Sequence, residues 1–326
     1  FPDKFRLRNS LADAEIQSFD FQFTLLRQQV AAATARSYDS LLVTRRHRRD
    51  LTEGRTLADE FQRKAQARFE AGTVARLDVL RARVDLAQAD NALIANERDI
   101  ANAEAALNRL LGLPLGTAIV AADSLDVPLP VPELDVLEAK ALAVRPELSD
   151  LSAQRRGASA ATSLAREFWL PDLFVSANRD YAQPGGYLFS TGIALPFPVF
   201  FWQHSKGELA ESRSRQRELS ASYRDLQAAV GQDVRAAYAS AVISLRQVIY
   251  LRDELLPAAR EAFRVASVGY GLGGVSALEV LDARRTLLDA ESQYTDALAA
   301  ASSARSDLER AIGAPLDSLG MGGVRE

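Results

Sequence analysis

Cysteine is absent from this 326-residue chain, and histidine and methionine are scarce, with two copies and one. Without cysteine the chain can form no disulfide and no thiolate metal site. The two histidines, His47 and His204, lie far apart in the sequence, so no metal-binding cluster of the usual kind is available. The sequence therefore predicts a protein with no metal site and no cofactor.

Patterns for catalysis and for nucleic-acid binding are also missing. No glycine-rich phosphate loop precedes a helix, and no Ser/His/Asp arrangement is visible, so neither an enzyme nor a catalytic residue is expected. The formal net charge of −4 argues against nucleic-acid binding, which requires a basic surface. A dense basic run at 45–49 falls within a long helical pattern and is interpreted as a solvated helix face.

No run of 18 apolar residues exists, which argues against a transmembrane helix. No signal peptide is recognisable, and the opening residues 1–4 do not resemble a natural start.

An internal repeat is the strongest positive signal. The segment 69–83 matches the segment 270–284 at an offset of 273 − 72 = 201, which continues to the pair Pro114 and Pro315. Upstream, Tyr38 matches Tyr238 at an offset of 200, so one residue is gained or lost between the two matches. Each repeat is typical of a very long helix, a glycine-marked turn and a second helix.

The second helix of each repeat shows heptad spacing. Its apolar seam comprises Val79, Ala82, Leu86, Ala89, Leu93, Ile100, Ala103, Leu107 and Leu110, interrupted only by Asn96, and it recurs 201 residues later. A second stripe comprises Leu77, Leu80, Val84, Ala87, Ile94 and Ala101. Two seams indicate two neighbouring helices, as in a closed ring, although one face of a plain antiparallel bundle also fits. The predicted helices lie near 8–69, 77–111, 134–168, 203–270 and 277–312, with an internal restart of the third at 145–148.

In the segment from Leu170 to Trp202 the spacing of apolar residues changes from helical to alternating, which predicts strands near 171–183 and 187–197. One face is apolar and the other is small or polar, as in a membrane barrel wall or a hairpin on a soluble core. Four aromatic residues bracket the hairpin and are predicted to mark a membrane–water interface: Phe168, Trp169, Phe201 and Trp202.

The order of these motifs resembles the TolC-like outer-membrane factor family over nearly the whole chain. The resemblance rests on the aromatic-x-x-Gly turns, the Asp/Glu-Val-Leu runs, the Leu-Gly-x-Pro ends, and the segments 145–148, 170–173 and 195–198. It implies a mainly α fold, in which long antiparallel coiled-coil helices form a periplasmic α-barrel and one β-hairpin contributes to a trimeric outer-membrane β-barrel. The opening Phe1-Pro2-Asp3-Lys4 is similar to the heavy-metal (CzcC-like) branch.

The same resemblance implies a passive export duct from periplasm to exterior. Its expected partners are two further copies in a homotrimer, a periplasmic membrane-fusion adaptor, an inner-membrane pump of the RND type, and outer-membrane lipid. The expected location is the outer membrane and periplasm of a Gram-negative bacterium. A periplasmic coiled-coil adaptor or a scaffold protein is the alternative, but two tandem hairpins with few strands argue against the adaptor, and a bracketed hairpin has no use in a scaffold.

The expected domain division follows the repeats. Residues 1–118 form a first, incomplete repeat, 119–133 an equatorial linker, 134–318 a second repeat with the membrane hairpin 170–202, and 319–326 a tail. Since the second repeat starts near residue 134, about 70 residues of the first repeat are expected to be missing upstream.

Two functional sites follow from the resemblance. Glu279 and Asp282 match the acidic ring of the family's periplasmic mouth, although both also fit a solvated helix face. The two turns match the family's adaptor-docking tips: Arg68, Ala71, Gly72 and Thr73 in the first repeat, and Leu272, Gly273 and Gly274 in the second. Val275 replaces the family's arginine after the tip, so the family's closing ion pairs are not expected here. Arg68 fits the family's arginine before the aromatic residue, whereas Gly269 departs from it.

Overall fold

The computed structural model describes residues 2–121, 125–167, 174–182, 186–194 and 201–316. Within these ranges the chain is mainly α-helical, with one two-stranded antiparallel sheet. The elements in chain order are α1 Pro2–Glu70, α2 Arg76–Leu111, α3 Leu134–Val144, α4 Pro146–Arg166, β1 Phe174–Ala182, β2 Gly186–Ala194, α5 Phe201–Tyr250, a π-helical turn Leu251–Leu255, α6 Leu256–Leu272 and α7 Ala277–Ile312. The expected fold class, with long helices and a single hairpin, is confirmed.

Helix boundaries agree with the sequence except at the start of α1 and within 203–270, where a π-helical turn divides the expected helix. Helix α1 begins at Pro2 rather than near residue 8. The internal restart expected at 145–148 is confirmed, because Pro146 lacks the amide hydrogen that an unbroken helix requires and starts α4.

The chain divides into two compact units, residues 1–27 with 141–232 and residues 28–140 with 233–326. In the first unit, α1 packs closely on α4, and a Cβ at Gly157 would lie 3.3 Å from Ala14 Cβ. Hydrogen bonds also join the two helices: Ser18 donates to Asp150, and Arg156 donates to Gln17 at 2.7 Å. The division by repeats is a different partition of the chain and stays a prediction.

In the second unit the heptad seams form the core. No seam residue of α2 or α7 is exposed, and Val280, Leu287 and Leu308 are buried. The polar seam residue Asn96 is accommodated because its amide donates to the Thr44 carbonyl at 3.1 Å. The second stripe of α2 behaves differently, since all of its residues are exposed, Ile94 by 66%.

The π-helical turn explains the change of repeat offset. Buried Leu41 and Ala241 match at an offset of 200, whereas buried Ala58 and Ala259 match at 201. The turn Leu251–Leu255 lies between these pairs. Because a single π turn inserts one residue into an α-helix, it accommodates the extra residue without rotating the buried face downstream.

The sequence was interpreted as placing the basic run at 45–49 on a solvated helix face, and this is wrong for two of its arginines. Arg45 is half-buried and donates to Glu104 at 2.9 Å and to the Ile119 carbonyl. Arg46 donates to the Leu125 carbonyl at 3.1 Å and lies over the Tyr294 ring at 5.2 Å. The two arginines hold the segment after α2 against the helices by donating hydrogen bonds to its Ile119 and Leu125 carbonyl groups.

The hairpin has the expected alternation. Strands β1 and β2 pair in register from Phe174 opposite Ala194 to Ala182 opposite Gly186. The outer parts of the expected strands, 171–173, 183 and 195–197, lie outside the described residues. Among the described helices, none combines the length and apolar character needed to cross a membrane.

Candidate functional site at the helical tips

The two turns at which long helices reverse direction have the same geometry. Gly72 and Gly273 adopt φ of 73° and 84°, a left-handed conformation that side chains with a Cβ rarely adopt. After Gly72, Thr73 donates its amide to the Arg68 carbonyl at 2.9 Å, and Gly274 donates to the Gly269 carbonyl at 3.0 Å. Both turns are therefore Schellman motifs related by the offset of 201.

Arg68 connects the first tip to the second. Its guanidinium lies 4.7 Å from the centroid of the Tyr270 ring and donates to the Tyr270 carbonyl. A further, longer contact runs from its Nε to Thr73 Oγ1 at 3.4 Å. One side chain thus covers the aromatic residue of the opposite tip, caps a carbonyl there and touches its own turn.

Tyr270 is the buried centre of this contact. Its side chain is 1% exposed and its ring lies 5.2 Å from the ring of Phe61, tilted by 55°. Burial raises the pKa of Tyr270, the charge of Asp78 raises it further, and the charge of Arg68 lowers it. The hydroxyl has no hydrogen-bond partner among the described residues, so the ring is held by packing and by the cation above it.

The two departures from the family pattern at the second tip depend on each other. A Cβ at Gly269 would lie 2.4 Å from Val275 Cγ2, closer than such atoms approach. Val275 therefore occupies the space that a side chain at position 269 would need. The cationic contact to Tyr270 comes instead from Arg68 of the first tip.

Glu279 caps the start of α7. Its carboxylate accepts from the Ser276 amide at 2.7 Å and from the Ser276 hydroxyl at 2.9 Å, while the Glu279 amide donates to Ser276 Oγ at 3.3 Å. This is a capping box, and these hydrogen bonds lower the pKa of Glu279. The Ser-x-x-Glu signal was present in the sequence and was missed. In the first repeat Ala75 occupies the corresponding cap position and provides no side-chain bond.

Asp282 lies one turn further along α7, on a groove of about 860 Å³ between α2 and α7. Its side chain is exposed, as is that of Glu279. Because residues three apart on a helix are neighbours, positions 279 and 282 are adjacent on the surface of α7, while the Glu279 carboxylate itself is bonded to Ser276. Their role at a periplasmic mouth stays a prediction, whereas the capping role of Glu279 is a feature of the helix start.

A buried arginine lies beneath this groove and was not expected from the sequence. Arg284 is 4% exposed, pairs with Asp85 of α2 and donates to the Gly54 carbonyl of α1 at 2.7 Å. It therefore connects α7 to two helices of the first repeat. Its partner lies 199 residues away in the chain, so no local pattern could have indicated the pair.

Some of the remaining predicted site residues lie within the described part of the chain and others lie outside it. Leu272 is 85% exposed at the second tip, and Ala71 and Gly274 are exposed within the turns. Of the four interface aromatics, Phe168 and Trp169 lie outside the described residues, as do the side chains of Phe201 and Trp202. Their role at an interface stays a prediction. No group of three or more potential metal ligands occurs among the described side chains.

Comparison with known proteins gives a consistent result. The family model described as outer membrane efflux protein matches residues 3–113 and 137–314. The chain is 26% identical over 290 residues to the cobalt-zinc-cadmium resistance protein CzcC of Cupriavidus metallidurans, covering 88% of this chain and 68% of that protein. It is also 26% identical over 311 residues to the pyoverdine export outer membrane protein OpmQ of Pseudomonas aeruginosa, covering 93% of this chain and 64% of that protein.

Solved structures share the fold. The outer-membrane channel OprN aligns with a TM-score of 0.80 and 19% identity, over 96% of this chain and 72% of that chain. The outer membrane protein VceC of Vibrio cholerae aligns with a TM-score of 0.78 and 18% identity, over 97% of this chain and 77% of that chain. The chain thus spans about two thirds of its curated relatives and about three quarters of these structures.

Proposed function

Because this chain belongs to the outer membrane efflux protein family, we propose that it is one subunit of a homotrimeric duct that carries cargo passively from the periplasm across the outer membrane. Its family and fold are those of channel proteins. The match of one family model to both repeats disfavours a periplasmic adaptor or a scaffold, the alternatives that the sequence left open. The two curated relatives with 26% identity are named for metal resistance and for pyoverdine export, so the proposal covers the duct and assigns no cargo.

The observation that carries the proposal is the pair of matching tips clasped by Arg68 and Tyr270. Both turns present exposed small residues and a left-handed glycine, and a rigid, repeated surface of this kind suits a helical partner. We propose that the tips dock a periplasmic membrane-fusion adaptor, which connects the duct to an inner-membrane pump of the RND type.

A glycine pair in the second tip provides the test of docking. Gly273→Ala forces a Cβ into a backbone with φ of 84°, where it would also lie 3.4 Å from Arg68 Nη2. Gly271→Ala is the matched control, because Gly271 lies two residues earlier, in the helix, with open space at its Cβ position. We expect Gly273→Ala to reduce site-specific cross-linking to the adaptor and to reduce export, and Gly271→Ala to leave both unchanged. Equal cross-linking in the two variants would exclude docking through this turn.

We further propose that Glu279 and Asp282 line the periplasmic mouth. Three copies of each would crowd six carboxylates around one opening, which attracts cations and repels anions. Multivalent cations added on the periplasmic side should then block ion flow.

The capping role of Glu279 dictates how this proposal is tested. Alanine would remove the cap along with the charge, whereas Glu279→Gln keeps an oxygen that can accept from the Ser276 amide. Glu279→Gln combined with Asp282→Asn should relieve the block and leave assembly intact. If the double variant is blocked at the same cation concentration as the unaltered protein, the carboxylates do not form the ring.

A further inference from the structure

The exposed second stripe of α2 has a covered counterpart in the other repeat. Two of its residues are Ile94 and Ala101, which at the offset of 201 correspond to Thr295 and Ser302 of α7. Ile94 is 66% exposed and Ala101 is exposed, whereas Thr295 is fully buried. Ser302 is half-buried. The same face of the repeat is therefore covered on α7 and open on α2.

The residues that cover the α7 face belong to α1. Thr295 donates to Asp50 at 2.9 Å, and Ser302 donates to Asp39 at 2.7 Å. Residue numbers rise along α7 while they fall along α1, so the two helices run in opposite directions. Both hydrogen bonds join the first long helix of one repeat to the second helix of the other, and this pairing is a junction between repeats.

The long helix of the second repeat has the corresponding face, and that face is also open. Upstream of the π-helical turn the offset is 200, so Asp50 corresponds to Tyr250 of α5. By the same offset Asp39 corresponds to Ala239. Both aspartates are half-buried, whereas Tyr250 is 62% exposed and Ala239 is exposed. Ile243 lies between them on the same face and is 61% exposed, so no described part of the chain covers this face.

The two open faces match each other in chemistry. At the junction within the chain both partners are polar, a carboxylate opposite a hydroxyl. At the corresponding open positions both partners are predominantly apolar, with Tyr250 paired to Ile94 and Ala239 paired to Ala101. In each pair both members differ from their counterparts in the same sense, which is the relation expected of surfaces that meet.

We propose that α2 of one copy packs against α5 of the next copy, with Ile94 opposite Tyr250 and Ala101 opposite Ala239. The inference rests on the proposed function, because it names the surfaces through which the copies of the homotrimer meet. A second copy is the occupant because the same chain carries both halves of each pair, in matching order along the two helices. Since the two faces differ, the junction is head-to-tail, and three such junctions close a ring.

Cysteine pairs measure which residues face each other across this junction. The 326 residues contain no cysteine, so they contribute no thiol of their own. Full-length protein in membranes, with Ile94→Cys and Tyr250→Cys or with Ala101→Cys and Ala239→Cys, is treated with a short bifunctional maleimide. We expect covalent dimers and trimers on a denaturing gel and no larger species, because the ring closes at three copies.

Exchanged partners provide the matched control. Ile94→Cys is combined with Ala239→Cys, and Ala101→Cys with Tyr250→Cys. The two α5 positions are 250 − 239 = 11 residues apart, or about 16 Å along the helix, so the crossed pairs lie out of reach. Crossed pairs and single variants should give no dimer. Equal yields from matched and crossed pairs, or dimers from Ile94→Cys alone, would overturn the assignment.

Co-expression shows that the cross-link joins two copies. A chain with Ile94→Cys and a differently tagged chain with Tyr250→Cys should give dimers that contain both tags. Cross-linked products that contain a single chain, and no mixed dimers, would place the contact within one copy and overturn the proposal.

A polar exchange tests the pairing without cysteine. Tyr250→Asp places a carboxylate without a partner opposite Ile94 and should reduce the trimeric fraction, while its exposure within the chain leaves the folding of one copy intact. Adding Ile94→Thr recreates the carboxylate–hydroxyl pair of the junction within the chain. This addition should raise the association constant about tenfold, the effect of one hydrogen bond to a charged group. No recovery, or the same gain from Ile94→Thr in protein that retains Tyr250, would show that the two positions are not opposite.

The oligomeric state of the unaltered protein separates this inference from the proposed function. Native mass spectrometry of the full-length protein in detergent should give the mass of three chains. That mass without cross-linking of the matched pairs would overturn the assigned faces and leave the duct intact. The mass of a single chain would contradict the homotrimer and, with it, this junction.

Discussion

The clasp between the two tips predicts a specific local loss of stability. Arg68→Gln removes the cation 4.7 Å above the Tyr270 ring and the hydrogen bond to the Tyr270 carbonyl. A cation–π contact contributes about 0.5–2 kcal/mol, and a hydrogen bond from a charged group about 1.5–3 kcal/mol. Since Arg68 is half-exposed, we take the lower ends, which together give about 2 kcal/mol, or about 30-fold in the equilibrium for opening the tip.

Amide hydrogen exchange measures this opening directly. The amides of Gly273 and Gly274 are bonded to carbonyls of the last turn of α6, so their protection reports on the tip. Arg68→Gln should lower their protection about 30-fold, the effect of about 2 kcal/mol. It should also raise the pKa of Tyr270 further, because the Arg68 charge is the influence that lowers it.

A matched control separates the clasp from a general effect of removing an arginine. Arg63 lies on the same helix, is 75% exposed and pairs with Asp59 at 2.6 Å. Arg63→Gln should leave exchange at Gly273 and Gly274 unchanged. If Arg68→Gln also leaves it unchanged, the contact with Tyr270 does not stabilise the tip and the argument for a rigid docking surface fails.

Three further perturbations test the framework around the tips. Ser276→Ala should destabilise the start of α7 by about 1 kcal/mol, as measured by hydrogen exchange. Folding lowers the pKa of Glu279, so the stabilisation from its carboxylate is present above the ordinary value of 4.5 and is lost as the pH falls through the folded value. The difference in stability between the two proteins should therefore shrink in acid, and a pH-independent difference would contradict the capping box. Arg284→Met leaves Asp85 half-buried without its cation and should lower the thermal midpoint, whereas adding Asp85→Leu to that variant should recover much of the lost midpoint. If the loss in the double variant equals the sum of the losses in the two single variants, the pair is not coupled. Deletion of the exposed Glu254 should convert the π turn to regular α-helix and be tolerated. Deletion of one residue within α5 should instead rotate the following residues by about 100° and prevent assembly. Equal tolerance of both deletions would refute the account of the repeat offset.

Much of the fold could be predicted because its signals are local and repeated. The heptad seams give the long helices, and the left-handed turns coincide with glycines that recur at an offset of 201, Gly72 with Gly273 and Gly112 with Gly313. The change of the repeat offset from 200 to 201 is visible in the sequence, but only the structure assigns the extra residue to a π turn. The break at Pro146 follows from its missing amide hydrogen.

The parts that could not be predicted depend on contacts between distant residues. Arg284 and Asp85 lie in different repeats, and each alone looks like an ordinary charge on a helix. Arg45 and Arg46 resemble a solvated face because the carbonyl groups that they bond belong to an irregular segment with no periodic pattern. The mutual dependence of Gly269 and Val275 is likewise a matter of space, since each position alone reads only as a departure from the family.

The central claim is that this protein forms a duct across the outer membrane, and its most direct test is the current that the purified protein carries across a planar lipid bilayer. The account predicts discrete unitary steps and, under a salt gradient, a reversal potential displaced toward that of the cation. Insertion of protein, verified by recovering it from the bilayer lipid, without current above that of the bare bilayer under either polarity would contradict the claim.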